Sequence, residues 1–145
     1  MKKLLGVLAV GVLVGAAEPG EDPGKKELEK LQGTWRYASL EQDGKKTPEG
    51  ELKKLVVTFT ADKWAVRDGD TLVVEGTQKL DPTKEPHQID SFVKQEDGKS
   101  NTVLGIYEID GDTFRACFDP QGKARPRSFT PGPGQFAFVM RREKK

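Results

Sequence analysis

Leu31-Gln32-Gly33-Thr34-Trp35 decides how this chain is read. A glycine two residues ahead of a tryptophan, at the entry to a first strand, lets the chain turn tightly. The indole then plugs one end of a small barrel with a large apolar surface. The sequence changes character on either side of this stretch. Upstream it is first apolar and then rich in proline, glycine and charge; downstream it alternates with a period of two.

The downstream alternation predicts eight strands, over residues 34–42, 55–60, 63–67, 71–80, 87–93, 102–109, 114–118 and 135–142. Turn sequences separate them: Asp43-Gly44-Lys45-Lys46, Ala61-Asp62, Asp68-Gly69-Asp70, Asp81-Pro82-Thr83-Lys84, Glu96-Asp97-Gly98-Lys99 and Asp110-Gly111-Asp112. Residues 48–53 predict a brief helical lid, and Gly76 a bulge or bend. Leu28 and Leu31 stand at helical spacing and predict a short N-terminal helical turn. Consecutive hairpins in this number favour an all-β fold, an eight-stranded antiparallel up-and-down barrel with no free sheet edge. A sandwich is the other architecture the strand count allows.

Upstream, Met1-Lys2-Lys3 is a positive segment, residues 4–14 are apolar or glycine, and Gly15-Ala16-Ala17 supplies small residues before Glu18. An apolar run this short predicts a cleaved signal peptide over 1–17 rather than a span, which needs about 20 apolar residues. The expected product is exported, periplasmic or extracellular, with no membrane span after cleavage. Residues 18–26 predict a flexible spacer, 27–142 the barrel domain and 143–145 a charged tail. The 24 basic and 23 acidic residues leave a formal charge of +1, which gives no electrostatic case for nucleic acid or an anionic membrane. Cys117 is the only cysteine, so no intramolecular disulfide forms and the core alone must stabilise what is expected to be a monomer.

Leu31-Gln32-Gly33-Thr34-Trp35, Asp43-Gly44-Lys45, Leu80-Asp81-Pro82-Thr83-Lys84 and Gly105-Ile106-Tyr107-Glu108-Ile109-Asp110-Gly111-Asp112 together resemble a family of small exported proteins of planctomycete bacteria. The domain of that family is similar to lipocalin-like barrels, and the resemblance covers residues 28–142. It implies a lipocalin-like fold and export, and no activity. The glycine-X-tryptophan signature of lipocalins fits Gly33-Thr34-Trp35. Their late arginine, which stacks over that tryptophan, corresponds to Arg141 or Arg142; Arg141 is taken here with Gly33 and Trp35 as the barrel closure.

Alternation from Trp35 predicts an interior of Tyr37, Ser39, Leu55, Val57, Phe59, Trp64, Val66, Ile89, Tyr107, Phe136 and Phe138. An eight-stranded barrel is either filled by such side chains or holds one small ligand. The small residues Ser39, Gly76, Gly105 and Ala116 leave room for the second case. A pocket would then be lined by Trp35, Tyr37, Trp64 and Tyr107. The apolar face of residues 114–118 is expected inward; with the opposite phase, Arg115 would hold an anionic head group. His87 and Cys117 give at most two zinc ligands, so neither metal nor cofactor is expected. The carboxylates fall in or near turns, and nothing assembles an acid–base pair or an activated thiol. Arg125, Arg127 and Phe129, in the long loop before the last strand, form a candidate contact patch at the barrel mouth.

These readings converge on a non-catalytic domain that binds a small apolar or amphipathic ligand. The alternative is an envelope interaction module with a filled barrel and a protein partner. A barrel-based hydrolase or lyase would need His87 or Arg115 to meet carboxylates in one cleft.

Overall fold

The computed structural model describes residues 22–144. The expected signal peptide and the first part of the spacer lie outside them. Helix α1, Pro23–Leu31, begins inside the expected spacer because Asp22 caps it: the Gly24 N–H donates to Asp22 Oδ1 at 2.9 Å, and Pro23 takes the first helical position. Its buried face carries Gly24, Glu27 and Leu31.

The strands are β1 (Gly33–Gln42), β2 (Lys45–Lys46), β3 (Leu55–Thr60), β4 (Lys63–Asp68), β5 (Thr71–Asp81), β6 (His87–Lys94), β7 (Ser100–Asp110), β8 (Thr113–Asp119) and β9 (Phe136–Arg142). A one-turn helix α2, Glu49–Leu52, precedes β3. Strand β2 is a two-residue ribbon paired only to β1. The other eight follow chain order around a closed antiparallel barrel, because β9 pairs with both β8 and β1. This is a lipocalin-like architecture, and the eight predicted strands match it closely.

The register defines two ends. The α1 end holds the start of β1 and the β3–β4, β5–β6 and β7–β8 turns. The opposite end holds the β1–β2, β4–β5 and β6–β7 turns and the long loop into β9. Helix α2 lies beside β1, where the Arg36 guanidinium donates to the Lys53 carbonyl at 3.0 Å. Its buried Leu52 does not line the interior, so this turn is a strut between strands rather than the expected lid.

A β-bulge re-aims the upper half of β1. Tyr37 pairs with Met140 but Ser39 with Val139, which leaves Ala38 as the extra residue. Past it, Leu40 and Gln42 face the interior and Ser39 faces out, against expectation. A second bulge, at Val73 on β5, leaves Leu72 and Val73 exposed at 42% and 54%.

The glycines do not leave interior room. Trp64 lies across Gly76, and the Phe118 ring lies across Gly105, where an added Cβ would approach a ring carbon to 2.5 Å. Aromatic rings use the space that missing side chains free.

The long loop 120–135 packs on the outer wall. Asp119 starts it by accepting from the Gln121, Lys123 and Ala124 N–H groups, and these bonds hold its carboxyl below the usual range. Arg125 fastens it by donating to the Ile89 and Gly105 carbonyls at 3.1 and 2.9 Å, with Asp90 at 2.8 Å. Pro126 is buried, and Arg115 sits 4.0 Å above the Phe129 ring. The tail is tied as well: Glu143 N–H donates to the Thr34 carbonyl, and its carboxylate pairs with Arg36 at 2.7 Å.

Candidate functional site: the barrel interior

An aromatic floor divides the interior into a closed part and an open one. Trp35, fully buried, meets Phe59 and Phe114 edge-on at centroid distances of 6.2 and 6.1 Å. Its indole N–H donates to the Leu31 carbonyl at 2.7 Å, fixing the ring against the end of α1. Beside it, the Tyr107 hydroxyl donates to Glu27 Oε1 at 2.9 Å, and Lys30 pairs with the other carboxylate oxygen at 2.6 Å. Burial, followed by this bond and by the Glu27 charge, pushes the Tyr107 hydroxyl far above its ordinary value. This end of the barrel is a lock between helix and wall.

Above the floor lies a cavity of about 330 Å³. Phe59, Phe114 and Phe138 form its base, and Val57, Trp64, Val66 and Ile89 are among its walls. Trp64 is held in place by an indole N–H donated to the Thr77 carbonyl at 3.1 Å. The rim is formed by Gln42, Val74, Val93, Pro120 and Phe136. Among the described residues no Asp, Glu, Lys, Arg, His or Cys lines this space; its polar side chains are Tyr37, Gln42, Gln78 and Ser91.

Three of these have distinct settings. Tyr37 packs edge-on against Phe138 at 5.8 Å, and burial pushes its hydroxyl up to about 12, so it stays a neutral donor. Gln78 and Ser91 are cross-strand partners, each only 6% exposed. Gln78 is anchored by its backbone N–H, which donates to the Asp62 carbonyl at 2.9 Å. Its side-chain Nε2 has no protein acceptor within hydrogen-bond distance among the described residues, although buried polar groups are nearly always paired.

The expected pocket residues are therefore split. Tyr37 and Trp64 line the cavity. Trp35 and Tyr107 point inward but sit at or beneath the floor, spent on contacts with α1. Arg115 faces outward, paired with Glu108 at 2.7 Å and stacked on Phe129, because the apolar Phe114, Ala116 and Phe118 take the inward phase. It cannot grip a head group in the barrel. Arg125, Arg127 and Phe129 belong to the outer-wall loop instead of the mouth, and Arg125 is consumed in fastening it.

Barrel closure also needs correcting. Gly33, at φ 121°, turns into β1 as expected, but the arginine over Trp35 is Arg142, at 4.4 Å from the ring, while Arg141 is exposed. Arg142 continues the inward phase of Phe138 and Met140 past the floor, and Arg141 does not.

His87 lies at the α1 end, its Nδ1 3.0 Å from the Lys84 carbonyl and its ring 5.4 Å from Tyr107. Cys117 is fully buried on the outer wall, where burial, aided by the Glu41 charge, raises its thiol. The two stand at different places, and no group of metal-ligating side chains occurs among the described residues.

Gln78, Ser91, Leu40 and Gln42 were not anticipated. The first two carried a signal: in the alternation of their strands, each is a polar residue in the apolar, inward phase, between Val74 and Leu80 or between Ile89 and Val93. The other two depend on the Ala38 bulge. Comparisons of the chain with protein-family models, curated proteins and solved structures return no match.

Proposed function

We propose that this chain is an exported, non-catalytic binding protein that carries one small apolar or amphipathic molecule in its barrel. The observation that carries the reading is the cavity of about 330 Å³, walled by aliphatic and aromatic side chains and supplied with a few neutral polar groups. Its size and composition are those of small-molecule pockets, which begin near 300 Å³ and pair an apolar lining with sparse orienting groups. The Met1–Ala17 segment supports export, and the motifs quoted above support kinship with the planctomycete family. The cavity weighs against the filled-barrel interaction module. Leu72 and Val73 add exposed apolar surface beside the open end.

Native mass spectrometry of the mature protein, purified gently from the envelope of its own cell, tests the reading. A bound species of defined extra mass is expected. An empty barrel that also takes up no added apolar molecule overturns it.

A further inference from the structure

Resting on that ligand-binding reading, we infer that the ligand is an uncharged apolar molecule with a hydrogen-bond acceptor of the carbonyl type, and that the Gln78 side-chain amide is the residue that selects it. Two independent features of the cavity lead there.

The first is the amide itself. Gln78 is 6% exposed, lines the cavity, and presents an Nε2 that no protein acceptor among the described residues meets. A buried donor without a protein acceptor is costly to leave unmet, so it is available to an acceptor that enters the cavity. It sits on the inward phase of β5, one inward position from Leu80, whose carbonyl abuts Gly24 of α1. The donor is thus in the half of the cavity nearer the closed end, where an entering molecule places its leading group. A carbonyl oxygen there accepts the N–H, and its hydrocarbon part lies along Val66, Val93 and Phe136 toward the rim.

The second feature is charge. An ionised carboxylate or phosphate leaving water for an apolar space is held best by a cation, and among the described residues the lining provides no Lys, Arg or His. The nearest arginine of strand β8, Arg115, points away on the outer wall. A cationic ligand fares no better, since no carboxylate among the described residues faces the space. Neutral donors facing apolar walls match a ketone, aldehyde, ester or lactone.

The test compares three probes with the same carbon count, methyl heptyl ketone, nonane and nonanoate, on the mature protein at neutral pH, by calorimetry and headspace partition. Methyl heptyl ketone is expected to bind roughly tenfold more tightly than nonane, the effect of one buried hydrogen bond to a previously unpaired donor. Nonanoate is expected to bind most weakly. In Gln78→Met, which keeps length and removes the amide, the ketone's advantage over nonane disappears while nonane binding holds or improves. Gln78→Leu serves as a second variant, and both are expected to fold, since each replaces a side-chain amide whose N–H has no protein acceptor among the described residues by an apolar group. Equal binding of ketone and nonane, a ketone advantage that survives in both variants, or tightest binding of nonanoate overturns the assignment and leaves the pocket standing. Binding of none of the three overturns the pocket reading and the assignment with it.

Discussion

Arg142 lies over Trp35, with its guanidinium carbon 4.4 Å from the indole ring, and so joins the last strand to the first at the point where the barrel closes. The same guanidinium donates to the Gln32 carbonyl at 2.6 Å and to the Lys30 carbonyl, and pairs with Asp112 at 2.9 Å. One planar fork thereby serves the ring, the end of α1 and the β7–β8 turn. Arg142→Ala is expected to lower stability by about 2–3 kcal/mol, from the cation–π contact together with charged hydrogen bonds. Arg142→Lys recovers little, because a single ammonium reproduces neither the fork nor the stacking. Arg141→Ala, at an exposed position, stays within about 0.5 kcal/mol. Urea midpoints of the three variants check this ranking.

Both tyrosines of the chain are expected to titrate late. Burial pushes Tyr37 up to about 12, and burial with the Glu27 bond carries Tyr107 higher. In the unfolded chain both ionise near pH 10. Above that pH the unfolded chain releases protons that the folded chain retains, so stability falls as pH rises from about 10 toward 12; below pH 10 neither group contributes any pH dependence. Tyrosinate absorbance should therefore appear near pH 10 in denaturant and about two units later, together with unfolding, in buffer. Ordinary titration of a folded protein at pH 10 would contradict the burial of Tyr37.

Tyr107→Phe removes the donor that meets a nearly buried Glu27 carboxylate. The expected loss is about 1–3 kcal/mol, the range for stranding a buried acceptor. Protection of the α1 amides against hydrogen exchange should fall more than that of β7, because the helix is the element being released.

Gly105→Ala would set a methyl group against the Phe118 ring and 2.7 Å from the Cys117 carbonyl. Overpacking of this kind costs about 1–3 kcal/mol. Gly98→Ala, with open space but positive φ, tests the separate cost of backbone strain in the β6–β7 turn. Thermal midpoints compare them.

Arg125→Ala is expected to free the outer-wall loop while the barrel stays intact. Cys117, buried beneath this side of the molecule with a raised thiol pKa, should resist alkylation in the native protein and become reactive in the variant. Equal protection in both would mean that the loop is held by other contacts.

Much of this was written in the sequence, and what was not has definite causes. Alternation from Trp35 sorts Tyr37, Val57, Phe59, Trp64, Val66 and Phe138 inward correctly, because burial on one face enforces the phase. It fails at Ser39, since no glycine or proline marks the bulge at Ala38. It also gives no height along the barrel axis. Trp35 and Trp64 share the inward phase, yet one supports the floor and the other walls the cavity. Arg141 was separable from Arg142 by carrying the phase of Phe138 and Met140 forward. The place of the 120–135 loop was not legible, because it depends on Arg125 reaching carbonyls of two other strands.

The two indole N–H groups give the most direct test of the central claim. Trp64 lines the cavity with its N–H on the Thr77 carbonyl, and Trp35 lies under the floor with its N–H on Leu31. In a nitrogen-15 correlation spectrum titrated with methyl heptyl ketone, the Trp64 indole peak should shift to saturation while the Trp35 peak moves little. If the Trp64 peak stays fixed throughout the titration, the barrel does not bind the class of molecule assigned to it.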